Sequence, residues 1–219
     1  MSRLDELIKN LCPNGVEYKK LGDITLKIID GMHNLPKGIG EIGEYPILSA
    51  QNINQGTISM ETSKWVNQEI FESENRRTDI KKNDVLLTIV GAIGRTAVVE
   101  DELKALFQRS ICVLKPNNEI LNSRYLAYAL ESSPVQAYMK NNAHGAAQKG
   151  IYLNQVSKIV LPVPPLKVQR EIICMLDRYT MLTNELTAKL TAELTARQKQ
   201  YEYYRDKLLS FDVHGGEDK

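Results

Sequence analysis

Ile159-Val-Leu-Pro-Val-Pro-Pro-Leu-Lys-Val-Gln-Arg-Glu-Ile172 decides the fold. A short apolar strand passes through three prolines into a long helical pattern. Pro162, Pro164 and Pro165 suit neither a sheet interior nor a helix interior, whereas proline is favoured in a first helical turn. The segment therefore ends one element and launches the next at a fixed angle. From Leu166 to Phe211 there is no further Pro or Gly. At about 1.5 Å per residue that run predicts a rod roughly 70 Å long, more than one globular domain needs. The rod is a spacer.

Along it, Ile172, Leu176, Tyr179, Leu182, Leu186, Leu190, Leu194, Tyr201, Tyr204, Leu208 and Phe211 recur mostly at steps of three and four, with Arg197 as the polar interruption. This is a coiled-coil seam. Its centre is a tandem of four-residue units, Leu186-Thr-Ala-Lys, Leu190-Thr-Ala-Glu and Leu194-Thr-Ala-Arg, and repeated steps of four locally unwind a left-handed supercoil. The competing reading is an ordinary long core helix. A lone helix would leave the stripe wet, so it must pack on its own globular part, on a second copy or on another protein.

A chain of 219 residues suits one globular domain with an extension. No apolar run reaches the length of a membrane span, and Met1-Ser-Arg-Leu-Asp-Glu lacks the apolar core of a signal peptide, so a cytoplasmic location is expected. Cys12, Cys112 and Cys174, like His33, His144 and His214, are odd in number and scattered. That pattern suggests neither a disulfide framework nor a metal site. The net charge of +1 hides an asymmetry: between Glu131 and Glu171 there is no acid, while Lys140, Lys149, Lys158, Lys167 and Arg170 fall there. A local basic surface is expected, against the plainer reading of a solvated patch.

Before the rod the pattern is mixed, and an α+β domain is expected. Ser2 with Asp5 resembles the cap of a first helix ending near Leu11, with Pro13-Asn-Gly15 as its stop. Strand-like runs come next at 24–29, 45–49, 85–90, 96–99 and 110–114, mostly bounded by Gly, Asn or Asp. Asn122 or Ser123 caps a helix to Ala129, and another runs from Pro134 to Lys140. The long connections 30–44 and 141–150 are of a length that tends to be functional.

Three glycine patterns carry no chemistry. Gly38-Ile-Gly-Glu-Ile-Gly43 leads into Glu44-Tyr-Pro46 rather than a helix, so no helix N-terminus awaits a pyrophosphate. Gly145-Ala-Ala-Gln-Lys-Gly150 is followed by Ile151-Tyr152 where a P-loop needs Lys and Ser/Thr. Gly91-Ala-Ile-Gly94 resembles an RNA-binding clamp, but its place between strand-like runs predicts a hairpin turn. No nucleophile–base set or carboxylate cluster stands out, so no active site is expected.

Several longer stretches resemble one family. They are Met1-Ser-Arg-Leu-Asp-Glu-Leu-Ile, Cys12-Pro-Asn-Gly-Val-Glu-Tyr-Lys-Lys-Leu-Gly-Asp23, Ile29-Asp-Gly-Met-His-Asn-Leu-Pro-Lys37, Val90-Gly-Ala-Ile-Gly-Arg95, Gly150-Ile-Tyr-Leu-Asn-Gln-Val-Ser-Lys-Ile159, Pro164-Pro-Leu-Lys-Val-Gln-Arg-Glu-Ile172 and Tyr201-Glu-Tyr-Tyr-Arg-Asp-Lys-Leu-Leu209. Together they are similar to the specificity subunit of type I restriction-modification systems. Members usually alternate two target recognition domains with two long helices. This chain has room for one of each, so the resemblance implies a half-length subunit: recognition domain 1–164, spacer and dimerisation helix 165–212, and a flexible tail 213–219.

The resemblance further implies double-stranded DNA as ligand, with a methyltransferase subunit and a restriction subunit as partners. The second recognition domain would come from self-association, giving a homodimer, or from a different half subunit. It implies no cofactor on this chain and S-adenosylmethionine on the methyltransferase, with catalysis left to the partners. Ile172, Leu176, Tyr179, Leu186, Leu190, Leu194, Tyr201 and Leu208 are the expected dimer interface.

The family offers no fixed base-reading motif, so DNA-contact candidates are chosen by chemistry: Arg suits guanine, Asn and Gln suit adenine, Lys suits phosphate. They are His33, Asn34 and Lys37 in the first long loop, Gln51 and Asn52 after a strand, and Arg95 and Thr96 after a glycine turn. Gln108 and Arg109 precede a strand, and Lys149, Tyr152 and Asn154 lie in the acid-free segment. For Asn52 and Asn154 a turn-stabilising role competes strongly. The alternative function is a coiled-coil scaffold whose globular head binds protein. A methyltransferase fragment is disfavoured, because Pro164-Pro165 is preceded by Val163 and followed by Leu166 rather than forming an Asn/Asp-Pro-Pro-aromatic motif.

Overall fold

The computed structural model describes residues 3–146 and 148–210. Ser2 of the expected cap, Phe211 of the seam and the tail lie outside them. Two compact units divide the chain, Met1–Ile173 and Cys174–Lys219.

The first unit begins with α1 (Arg3–Leu11), β1 (Tyr18–Lys20), α2 (Leu21–Ile24), β2 (Thr25–Asp30) and β3 (Tyr45–Leu48). Next come β4 (Ile53–Asn54), β5 (Thr57–Ile58), β6 (Trp65–Val66), α3 (Gln68–Thr78), β7 (Val85–Thr88), β8 (Thr96–Val98), β9 (Leu106–Phe107) and β10 (Ile111–Pro116). It continues through α4 (Ser123–Glu131), α5 (Ser133–Asn141), α6 (Leu153–Val156) and β11 (Val160–Pro162), and α7 (Leu166–Leu209) starts within it. The fold is an α+β domain followed by one long helix.

A four-stranded antiparallel sheet in the order β2-β10-β7-β8 forms the centre. Alternate side chains of a strand face opposite sides. Val85, Leu87, Cys112 and Leu114 therefore join one core cluster, while Leu86, Ile111 and Val113 join another. Both faces are covered, which is why these strands read as unbroken apolar runs. Each fully buried aliphatic side chain stabilises by about 1.5–3 kcal/mol. Burial also pushes the Cys112 thiol up.

Asn122, as expected, caps α4, accepting from the Arg124 and Tyr125 amides. It also anchors the proline junction. Gln169, with no exposed surface, accepts from the Asn122 N–H at 2.8 Å and donates to Ile120 O at 2.7 Å and Pro164 O at 2.8 Å. All its hydrogen-bonding capacity but one lone pair is occupied, so a polar group is buried without penalty and the first turns of α7 are fixed to α4. Pro162 keeps out of any sheet interior. It ends β11 opposite Tyr18 in a two-stranded ribbon with β1, where a missing N–H is tolerated. Its carbonyl accepts from the Tyr125 hydroxyl at 2.9 Å. Burial, helped by Tyr18, pushes that phenol up to about 12, so it stays a donor at neutral pH.

The second unit carries the tandem. Thr191 Oγ1 donates to Thr187 O at 2.8 Å and Thr195 Oγ1 to Thr191 O at 2.9 Å, the back-bonding open to a helical threonine. Lys189 pairs with Glu185 and Arg197 with Glu193, each four residues apart. The seam residues Tyr179, Leu182, Leu186, Leu190, Leu194, Tyr201, Tyr204 and Leu208 are all exposed. Leu176 is half-buried, whereas Ile172 packs against the core of the first unit.

Candidate nucleic-acid interface

Strand direction alternates across the central sheet, so one end of it gathers the C-termini of β2 and β7 with the N-termini of β10 and β8. The register makes this explicit: Asp30 faces Cys112, Ile111 faces Thr88, and Leu87 faces Thr96. Segments just beyond these residues are therefore neighbours in space although far apart in sequence.

At the first corner Met32 bridges Gln108, and the Arg109 N–H donates to Met32 O at 2.8 Å, bringing the His33-Asn34 loop beside Gln108 and Arg109. Gly31 makes this approach possible. A Cβ there would lie 2.1 Å from Phe107 O, so no other residue fits. Gln51 joins the group through its neighbour, since the Ala50 N–H donates to Ser110 Oγ at 3.0 Å. At the far corner Arg95 leaves the β7–β8 turn and donates through Nη1 to Ile53 O at 3.2 Å. Lys149 completes the end, its carbonyl accepting from the Gly91 N–H at 2.9 Å. His33, Asn34, Gln51, Arg95, Arg109 and Lys149 are exposed there and Gln108 is half-buried.

Two candidates turn inward. Asn52 is 8% exposed; its Oδ1 accepts from the Ser49 N–H and its Nδ2 donates to Ser59 O and Glu61 O. Thr96 is 1% exposed and donates to Glu131 Oε1 at 2.8 Å. Neither offers a base-reading edge. Asn52→Ala would orphan three backbone groups and is expected to cost at least about 1–3 kcal/mol. Urea denaturation with an unchanged midpoint would refute that assignment. Asn154 lies exposed in α6, Tyr152 stacks on His144 at 5.7 Å, and Lys37 sits further along the first loop. Of the acid-free basic residues, Lys140 and Lys149 line one open depression of about 480 Å³ beside Gly91. Lys158, Lys167 and Arg170 lie outside its lining, on the α6–β11 join and the start of α7.

Sequence reasoning missed Arg77, on the last turn of α3. It pairs with the nearly buried Asp30, which also holds His33 Nε2 at 2.8 Å. The Asn67 cap and the basic end of α3 were the available signal. Gly91–Gly94 is the β7–β8 turn, as expected, while Gly40 bridges Trp65 ahead of β3 and Gly150 bridges His144. Among the described residues no His, Cys, Asp and Glu group could hold a metal ion. No described helix is long and apolar enough to cross a membrane.

The family described as "Type I restriction modification DNA specificity domain" matches residues 13–196. The chain belongs to that family. A putative type I restriction enzyme specificity subunit of Haemophilus influenzae is 32% identical over 158 residues, covering 71% of this chain and 40% of that protein. A putative type I specificity subunit of Mycoplasma pneumoniae is 35% identical over 198 residues, covering 89% and 52%. The chain thus spans about half the length of the specificity subunits it matches. Among solved structures, one from a study of complex assembly and conformational transition of the type I R-M system aligns over 91% of this chain and 48% of its own, with 21% identity and a TM-score of 0.62. The type I S subunit of M. genitalium aligns over 88% of this chain and 46% of its own, at 18% identity and a TM-score of 0.55. These solved chains share the fold.

Proposed function

We propose that this chain is a half-length DNA-recognition subunit of a type I restriction-modification complex. Residues 1–164 read one half of a split DNA target. The segment 165–212, which carries α7, pairs antiparallel with a second copy, or with another half subunit, to set the distance between the halves. Methyltransferase and restriction subunits dock on this frame in the cytoplasm and carry the chemistry, with S-adenosylmethionine bound by the methyltransferase; this chain positions them and catalyses nothing. The observation that carries the reading is the sheet end, where His33, Asn34, Gln51, Arg95, Arg109 and Lys149 project from turns held by backbone hydrogen bonds. Polar loops on a rigid sheet are the arrangement that base and phosphate contacts require.

Purified alone, the chain is expected neither to methylate nor to cut DNA. With its methyltransferase subunit it is expected to direct methylation to a split sequence. Affinity is expected to fall with salt at a slope of about −0.9 per phosphate neutralised. Methyl transfer by the chain alone would sink this reading, and absence of DNA binding with the methyltransferase present would leave the coiled-coil scaffold.

A further inference from the structure

We propose that Arg95 reads a guanine within the half-site and that the buried Thr88 is the positioning residue that presents it; this rests on the DNA-recognition reading above. The connection between β7 and β8 is braced from three sides. Thr88, with no exposed surface, uses its hydroxyl entirely on the turn: Oγ1 donates to Ala92 O and accepts from the Arg95 N–H at 2.9 Å. Its backbone closes the same turn, the Thr88 N–H donating to Arg95 O and the Gly94 N–H to Thr88 O, each at 2.9 Å.

The second brace is Gln136 of α5, whose Nε2 donates to Gly94 O at 2.9 Å and to Leu130 O at 2.8 Å. Gly94 has φ +94°, and a Cβ there would meet Gln136 Oε1 at 2.3 Å, so glycine alone admits the brace. The third is the Gly91 N–H to Lys149 O bond, with Val90 bridging Gly150. Beyond the backbone bonds, joining two antiparallel strands requires neither the Thr88 hydroxyl nor the Gln136 and Lys149 contacts. The redundancy instead fixes where Arg95 leaves the sheet.

The side chain is held as well. Arg95 Nη1 donates to Ile53 O, and Ile53 is fully buried next to the internally bonded Asn52. One nitrogen of an exposed guanidinium is thereby occupied before DNA arrives, and the remaining donors keep a fixed direction. A pre-oriented planar fork suits the paired O6 and N7 acceptors of guanine, whereas a phosphate is served by any mobile cation. Arg109 makes the contrast, because no side-chain hydrogen bond holds it among the described residues.

The test selects duplexes from a library randomised across the half-site, using the full chain with its methyltransferase subunit at two salt concentrations. Arg95→Ala is expected to lose preference at a single G·C pair by roughly 10- to 100-fold, with the salt slope of the parent. Thr88→Val is expected to weaken preference at that same pair while still melting cooperatively, and Thr88→Ser to restore it. Should Thr88→Val fail to fold, Gln136→Met at a half-buried position repeats the positioning test. A uniform loss by Arg95→Ala on every sequence with a shallower salt slope would make Arg95 a phosphate contact and overturn the proposal. Unchanged preference in Arg95→Ala, or in a folded positioning variant, overturns it too. In each of those results the parent's own enriched sequence leaves the DNA-recognition reading standing; a parent that enriches nothing takes both down.

Discussion

Sedimentation of a Leu186→Lys/Leu190→Lys double variant is expected to give a monomer where the parent chain gives a dimer. Leu182, Leu186, Leu190 and Leu194 are 48%, 58%, 58% and 69% exposed, and Tyr201, Tyr204 and Leu208 extend the stripe. So much leucine on one helix face is stable in water only when covered. Burying each such side chain against a partner contributes about 1.5–3 kcal/mol. Two lysines in the middle of that interface would forfeit this and would bury charge, a change of several kcal/mol against a marginal assembly. Both substitutions lie in the second unit, outside Met1–Ile173, so circular dichroism is expected to show the folded domain. A parent chain already monomeric at tens of micromolar without its methyltransferase would defeat the homodimer for the free protein and leave pairing with another half subunit.

Deleting Thr191–Leu194 is expected to keep the recognised bases and change only the unspecified spacer between them. Four residues nearly complete a turn, so the helix shortens by about 6 Å while its C-terminal part rotates by only about 40°. The seam re-forms because Leu190 then precedes the unit that Leu194 preceded, and Thr195 finds Thr187 O in place of Thr191 O. One exposed pair is lost: Arg197 leaves Glu193 and comes four residues from Lys189, a cost of a few tenths of a kcal/mol. DNA rises about 3.4 Å per base pair, so the spacer is expected to change by one or a few pairs. Methylation mapped across a genome carrying the deletion decides the matter. Unchanged spacing, or new half-site bases at the old spacing, would show that the helix does not set the distance.

Legibility in the sequence tracked the range of the interactions. The proline junction, the Asn122 cap, the apolar runs of β7 and β10 and the long helix rest on local chemistry, and each stands where the sequence predicts. The helix α3 went unread because charge outweighs its apolar positions Ile70 and Phe71, although the Asn67 side chain accepting from the Ile70 N–H marks its start. The two-residue strands β6 and β9 depend on long-range pairing with β3, and Leu106 is 59 positions from its partner Ile47. Residue type alone could not separate Arg95 from Thr96, since what turns Thr96 inward is Glu131, 35 positions away. Thr88 and Gln136 were invisible for the same reason: a side chain turned into the protein declares its purpose only through the group it touches.

The sheet end has a consequence for how such a protein can change over generations. The exposed candidates there all lie in turns or at strand ends, while Leu86 and Leu87 of β7 and Cys112, Val113 and Leu114 of β10 are buried in the core. Substitutions on that rim alter the proposed contact surface and leave the hydrophobic layers untouched. The proposed recognition surface can therefore be exchanged loop by loop without unfolding the domain that carries it.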